Sequence, residues 1–586
     1  MKKIIIITAI LFSFNLILTG QIIHVPDDQS TIQDAIVVAN DGDTVLVAVG
    51  TYYENINFLG KAITVGSQYL IEKDSTHIYN TIINGSQPDP GDSACVVLFN
   101  SGEDTTSVLY GFTITGGTGC YWPYLPIFTK LKAGGGVQII NCGAKICHNI
   151  ITDNHVENEW EAFGGGIHGA DIPEDRMIIV EDNLVYNNTV TGKIWVKGGG
   201  IAVAFCHTRV CNNVVKNNTA VGDSITVEIA SGGIWYSNST SYTTNVNISG
   251  NTIINNEVIS TNPVSHLTWG GGMIIMALWD NMIAKVNHNV IANNYIDSPE
   301  QSTGTGLLVN QCDFIELTGN VIYGNSSSAQ TSYGGGLGIW DSNPIVSGNQ
   351  IYNNVATKGG GIYVGGPQSQ AQIINNTIYG NEAEDIGGAL YLWNSVSDIR
   401  NTIIWGNTAN TAPAIFQVGS MNNIVNYSDV QGGWTGMGTG NINMDPLFFD
   451  PESGDFHLTQ YSPCINTGDP NSPPDPDGSI CDMGVFYYDS LWTEIQDMKP
   501  ETHLTKCYPN PFSTSTTIEF NLANFKDVTI TIFNHFGQIV ETLDQGNIHQ
   551  GKHQYIWNAS GLPNGVYFVH VKAGQEVSTR KVIKMR

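Results

Sequence analysis

Residues 359–381 read GGGIYVGGPQSQAQIINNTIYGN. A glycine cluster opens the stretch, apolar residues alternate at Ile362 and Val364, and Asn376 and Asn381 stand five apart around a short apolar segment. The asparagine pair recurs at Asn149, Asn183, Asn213, Asn251, Asn289, Asn320, Asn349, Asn376 and Asn401. In the first eight copies the spacing is five; the ninth, NTIIWGN, carries one extra residue. Most copies follow a glycine cluster and an apolar residue, as in GGGV at Gly134, GGGI at Gly164 and Gly198, GGGM at Gly270 and GGGL at Gly334. Two landmarks per repeat fix the register of a stack of similar coils.

Successive first asparagines lie 25 to 38 residues apart. That is short of a propeller blade, and no repeat carries the long apolar face of a helical array. A coil of short strands fits, with Leu390 and Leu392 pointing inward like Ile362 and Val364. Asparagine tolerates left-handed backbone and bonds to neighbouring peptide groups, so a column of asparagines at one corner would satisfy the turns from coil to coil. Upstream, Ser30 and Gln33 make a capping box for a helix whose Ile32, Ala35, Ile36 and Ala39 share one face, a lid for the first coil. TVLVAVG, AITVGS and STHIYNTIING then read as strands.

The formal charge of −28 comes from 52 acidic and 24 basic residues, with no long basic run, which argues against a nucleic-acid surface. Lys2 and Lys3 precede an apolar run from Ile4 through Leu18, the pattern of a signal peptide over residues 1–20, with no stable membrane span expected after its removal. Ten cysteines do not make a disulfide-dense scaffold. Cys142, Cys147, Cys206, Cys211 and Cys312 keep recurrent offsets from the glycine clusters, which suggests small inward-facing side chains.

The opening segment IIHVPDDQSTIQDAIVVANDGDTVLVAVGTYYENINFLGKAITVGS, with GFTITGG at Gly111 and the repeats, resembles secreted right-handed parallel β-helix proteins of the pectin-lyase-like superfamily. The resemblance implies an all-β chain, a right-handed parallel β-helix with an N-terminal cap over residues 21–444. It does not fix chemistry, because lyases, hydrolases, esterases and noncatalytic adhesins share the fold. Residues 445–488, DPLFFDPESGDFHLTQYSPCINTGDPNSPPDPDGSICDMGVFYYD, resemble the closing segment of such helices. There Cys464 and Cys481 flank a turn-rich insert and are placed for a local disulfide, and Asp469, Asp475, Asp477 and Asp482 offer oxygen ligands for calcium or cap acidic turns. After a linker at 489–506, residues 507–586 resemble the type A C-terminal sorting domain of the Bacteroidota type IX secretion system through YPNPF, LPNGVYF and the final KVIK. That resemblance implies a small antiparallel sandwich recognised by the outer-membrane translocon, and a mature protein that is secreted or held at the outer cell surface. Trp557, Tyr555, Tyr567 and Phe568 are either core residues of this sandwich or a sugar platform.

Function is expected where the repeats lengthen, in HVENEWEAF, TVTGKIWVK, TAVGDSITVEIAS and EVISTNPVSHLTW, which should form a wall beside an elongated groove. Trp160, Lys193, Trp195, Lys197, Trp235 and Trp269 are candidates for contact with a polysaccharide. Elimination from a uronate would need a base and a positive charge, for which Asp153, Glu157, Glu161, His168, Asp171, Arg176, His207 and Arg209 are candidates. Glycoside hydrolysis would instead use paired carboxylates such as Glu157, Glu159 and Glu161. A noncatalytic adhesin or surface-binding protein is the alternative to both.

Overall fold

The structure is a computed structural model that describes residues 20–488 and 506–585. Short stretches at 89–93, 122–130, 224, 239–243, 264–267, 279–282, 368, 420–421, 523–525, 535–538, 550 and 574–575 lie outside the description, as do residues 1–19 and 489–505, where the signal peptide and the linker are expected. The chain divides into two compact units, Met1–Tyr487 and Tyr488–Arg586.

One coil shows the plan of the first unit. After Gly198 to Gly200 the chain runs through Ile201–Ala204, His207–Cys211, Val214–Lys216, Thr219–Gly222 and Glu228–Ala230, then enters the next glycine cluster and the strand Ile234–Ser237. Each strand pairs in parallel with its counterpart one coil on, as Ile201 does with Ile234 and Thr208 with Val246. Five sheets result, which we call floor, back, corner, outer wing and inner wing in the order of these five strands. Among the described residues they hold 12, 14, 13, 6 and 11 strands. The six-stranded outer sheet limits the two-sheet wing to the middle coils, where the loops are longest. The winding is right-handed, the sense that right-twisted strands impose on parallel crossovers.

Floor, back and corner sheets enclose one continuous core that includes Ile201, Val203, Val210 and Val215. The two wing sheets bury a second core between them, with Val190, Val196, Ala220 and Ile229. The outward residues of the floor strands, Ala202, Ala204 and Trp235, pack with Ala230 of the inner wing sheet in a third cluster. The wing therefore folds back over the floor.

The asparagines form two ladders flanking the corner strands, where the sequence suggests one column. Asn251 is typical: it donates to Val210 O at 2.8 Å and to Asn289 Oδ1 at 2.9 Å, and accepts from Asn213 N at 2.9 Å and Asn213 Nδ2 at 3.0 Å. The second ladder runs five residues later through Asn218, Asn256 and Asn294. The residue just before each rung is left-handed, Asn212 at φ 57° and Asn217 at φ 54°. Asn401, read as the ninth first rung, takes this turn position at φ 50° instead. Thr402 is the rung, accepting from Asn376 N at 3.4 Å, and Asn407 lies five residues beyond it. The glycine clusters let coils approach closely: a Cβ on Gly199 would sit 2.6 Å from Gly232 O and 2.7 Å from Thr219 O.

At the N-terminal end the helix Ile32–Val38 buries Ile32, Ala35 and Ile36 over the first coil. Its cap is Thr31, which accepts from Asp34 N at 3.0 Å; Gln33 is free to bond Asn57 of the coil beneath, so Ser30 and Gln33 form no capping box. Thr76–Asn80, read as strand, is helical. Cys142, Cys206 and Cys312 join the core, but Cys147 and Cys211 lie on the outer side of the back strands because Ile146 and Val210 take the inward positions.

The closing segment bends back along the corner sheet, where Phe456 packs against Tyr352 and Tyr379 at 5.2 and 5.3 Å between ring centroids. Cys464 and Cys481 are both free thiols, which corrects the expected local disulfide; the bridge is Cys95 to Cys120. The insert does not close on itself because each cysteine is committed to the coils or the insert's own backbone. Cys464 Sγ donates to Asp429 Oδ2 at 3.4 Å, and Cys481 Sγ accepts from Asn401 Nδ2 at 3.4 Å.

The second unit has antiparallel sheets of three and four strands among the described residues. Trp557 and Tyr567 are buried in its core with Phe512, Phe520 and Val569, so they are packing residues and not an open platform. The Phe536-Gly537 pair, a turn signal in the sequence of this domain, lies outside the described residues.

Candidate functional site

Between the outer face of the floor sheet and the inner wing sheet runs a seam parallel to the stack, which we call the groove; it is packed shut around Ala202, Trp235 and Ala230 and only partly covered at Tyr333, Trp340, Trp393 and Phe416. The period of two sets its lining. In the inner wing strands Glu161–Phe163, Trp195–Lys197 and Glu228–Ala230, the middle residues Ala162, Val196 and Ile229 bury into the wing, so Glu161, Phe163, Trp195, Lys197 and Glu228 face the floor. From the floor side His168, Ala202, Trp235 and Ile274 meet them. Trp269, of the next wing strand, packs at the edge of the same cluster.

Lys197 holds this part together. Its Nζ lies 2.9 Å from Glu228 Oε1 and sits over Trp235, Trp195 and Phe163 at 4.9, 5.4 and 5.7 Å from the ring centroids. A largely desolvated cation gains from both contacts. Burial raises the Glu161 carboxyl above its ordinary pKa, with Lys197 pulling the other way. Burial also pushes His168 down to about 3, so its imidazole is neutral across the physiological range and is no proton carrier there.

Further along, the groove becomes aromatic. The outward positions of successive floor strands are Gly338 and Trp340, Tyr363 and Gly365, Tyr391 and Trp393, and Phe416 and Val418. Tyr363 stacks on Tyr391 at 5.6 Å and 16°, and Tyr391 on Phe416 at 5.7 Å and 16°. Trp340 and Trp393 are two coils apart, yet their rings lie 5.6 Å apart because Gly365 between them has no side chain. Tyr333 of the inner wing closes the row at 5.0 Å from Tyr363. Tyr363 and Tyr391 are buried, while Tyr333, Trp340, Trp393 and Phe416 are half-exposed. The aromatic candidates read from the long loops missed this ladder. Alternation after each glycine cluster, in GGGLGIW, GGGIYVG and GGALYLW, carries its signal.

A second concavity, about 570 Å³, lies on the wing among Tyr121, Lys132, His155, Glu157, Glu159 and Lys193. Lys193 pairs with Glu159 at 3.4 Å and His155 with Glu157 at 3.7 Å, exposed pairs of little energetic weight. Trp160 is 43% exposed nearby.

The other candidates disperse. Asp153 and Asp171 occupy left-handed turn positions at φ 55° and 56°. Arg176 donates to the carbonyls of Gly102 and Glu103. Arg209 pairs with Glu181, which Lys145 also meets at 2.6 Å, and His207 Nδ1 accepts from Asn245 N at 2.9 Å, all on the back sheet. Asp469 and Asp477 accept from backbone N–H groups two residues on, Asp475 from Asp482 N and Asp482 from Asn466 N. Among the described residues no three histidines, cysteines or carboxylates gather as metal ligands. Asp469 and Asp477 cap their own turns, whereas Asp475 and Asp482 accept from N–H groups farther along the insert. Also among the described residues, no helix is long and apolar enough to cross a membrane.

Comparison with known families agrees with this architecture. The right-handed β-helix region family matches residues 279–430, and the secretion system C-terminal sorting domain matches residues 506–585. No curated protein matches the chain.

Proposed function

From an exported right-handed parallel β-helix of the pectin-lyase-like kind, carrying a type IX sorting domain and bound for the cell surface or beyond, we propose a polysaccharide-binding protein. Its binding surface is the groove between floor and wing. The observation that carries this reading is the aromatic ladder from Tyr333 to Phe416, whose half-exposed rings repeat along the stack. A polymer of sugar rings repeats its groups at regular intervals, and a rigid row of partly exposed aromatic edges, held by stacking ring on ring, offers repeated contact at low entropic cost.

The uronate-elimination candidates do not support a lyase equally well. Arg176 and Arg209 are engaged with carbonyls and with Glu181, away from the groove, and His168 is buried and neutral. Affinity electrophoresis of the full chain through neutral and uronate polysaccharides tests the reading. Retardation by at least one glycan is expected, and Trp340→Ala with Trp393→Ala should weaken it by about 2 kcal/mol, the scale of a lost aromatic anchor. Retardation unchanged by the double substitution, or none across the panel, would remove the ladder from the account.

A further inference from the structure

The inner wing sheet carries one charge at a position that is otherwise apolar. Its strands bury their middle residues into the wing, Ala162, Val196 and Ile229 in turn, and in the first strand, Leu131–Ala133, that position is Lys132, in register with Ala162. The outer wing sheet starts one coil later, at His155–Glu157, so among the described residues no outer strand of its own coil covers Lys132. A cavity of about 570 Å³ opens there, within the size range of small-molecule sites. Lys132 lines it at 7% exposure, its ammonium 5.7 Å from the ring centroid of Tyr121, which lines the same cavity. A lysine that merely covers the end of an apolar core carries its head out to water. This one keeps its head inside, and its three N–H donors meet no protein acceptor and no carboxylate among the described residues.

The other charges of the cavity are committed to one another or to their own turn: Lys193 to Glu159 at 3.4 Å, His155 to Glu157 at 3.7 Å, and Asp223 to Ile225 N at 3.0 Å. They also lie farther out, since the side chains of Glu157 and Glu159 are 74% and 82% exposed. The lining therefore runs from a buried cation to an acidic rim. With His155 neutral, Lys132 and Lys193 face the three carboxylates of Glu157, Glu159 and Asp223. Such a rim repels a polyanion, whereas a ligand with a carboxylate at one end and an ammonium at the other complements both. Tyr121 offers a ring face on a strand tied down by the bridge from Cys95 to Cys120, and Thr118 and Thr191 bring hydroxyls suited to amide groups. We propose that this cavity binds a short peptide by its free ends, the C-terminal carboxylate on Lys132 and the N-terminal ammonium at Glu157 and Asp223. The site is independent of the aromatic ladder, none of whose residues lines it.

The test titrates the full chain in a calorimeter, at low ionic strength, with tripeptides of varied central residue, each prepared with free ends, with an amidated C-terminus and with an acetylated N-terminus. At least one free-ended tripeptide should bind, about tenfold or more weaker once amidated and about threefold or more weaker once acetylated. Lys132→Met keeps an unbranched stem in the wing and should reproduce the loss seen on amidation, with glycan retention unchanged. Lys132→Arg keeps the charge and should bind within about threefold of the natural chain, so it and the amidated peptides decide the matter even where Lys132→Met does not fold. Glu157→Gln combined with Asp223→Asn should erase the effect of acetylation and leave that of amidation. Failure of every free-ended tripeptide to bind, indifference to amidation or to Lys132→Met, or tighter binding of the acetylated forms overturns the proposal.

Discussion

Replacing Asn251 with alanine tests the physical basis of the stack. Its side chain is fully buried and makes four hydrogen bonds, two given and two received. In Asn251→Ala the backbone N–H of Asn213 loses its acceptor, a buried orphan costing about 1 to 3 kcal/mol. The other groups are partly compensated, since Asn213 Nδ2 still reaches Val180 O at 2.9 Å and Asn289 Oδ1 still accepts from Asn251 N at 2.9 Å. Counting those two at about 0.5 to 1 kcal/mol each brings the expected loss to about 2 to 5 kcal/mol. Asn251→Thr should cost less, about 1 to 2 kcal/mol, because Thr402 already serves as a rung through its hydroxyl. Urea unfolding with hydrogen exchange resolved along the chain is the assay, since a stacked array need not unfold in two states. A loss below about 1 kcal/mol for Asn251→Ala, or faster exchange only in distant coils, would refute the reasoning.

Three further outcomes follow from the same geometry. Gly199→Ala puts a Cβ 2.6 Å from Gly232 O of the next coil, so at least about 2 kcal/mol of stability should be lost in urea unfolding; an unchanged midpoint would mean the coils can separate freely. Gly365→Val drives a side chain into the buried Tyr363 ring and parts Trp340 from Trp393, so glycan retention should weaken about tenfold and the urea midpoint should fall as well; equal retention would contradict the ladder. Burial pushes Asp429 up to about 6 against an ordinary 3.8, so the folded chain holds an extra proton between these values and its stability falls as pH rises through about 6. Asn at position 429 should remove that slope and add on the order of 2 kcal/mol at pH 7, read from urea midpoints between pH 4 and pH 8.

The repeat was legible because two residue types are tied to backbone geometry. Asparagine pairs mark the corners and glycine clusters the close approaches, and both are local. Asn401 misled because a left-handed turn and a ladder rung accept the same side chain, and only the stacking of Thr402 beneath Asn376 separates them. At Asp153 and Asp171 the same ambiguity holds: the left-handed backbone is by itself reason enough for a short polar side chain, so the carboxylate alone does not mark chemistry. Cys464 and Cys481 lie on a segment whose neighbours, Asp429 and Asn401, are distant in sequence, so local spacing could not exclude their pairing. The wing was anticipated as long loops, but its folding over the floor depends on the fit of Lys197 between Trp235 and Phe163. Trp195, Lys197, Trp235 and Trp269 were placed in the groove by that fold, whereas the ladder lies on coils whose short loops drew no attention.

The most direct measurement of the central claim is affinity against oligosaccharide length, by titration calorimetry on a glycan that retards the full chain. The ladder crosses three coil steps from Gly338 to Phe416, about 14 Å at the spacing of parallel strands. Affinity should climb with each added sugar until that span is covered, then level off, and the climb should vanish when Trp340 and Trp393 are alanine. Affinity independent of length, or a climb that survives both substitutions, would contradict recognition by the ladder.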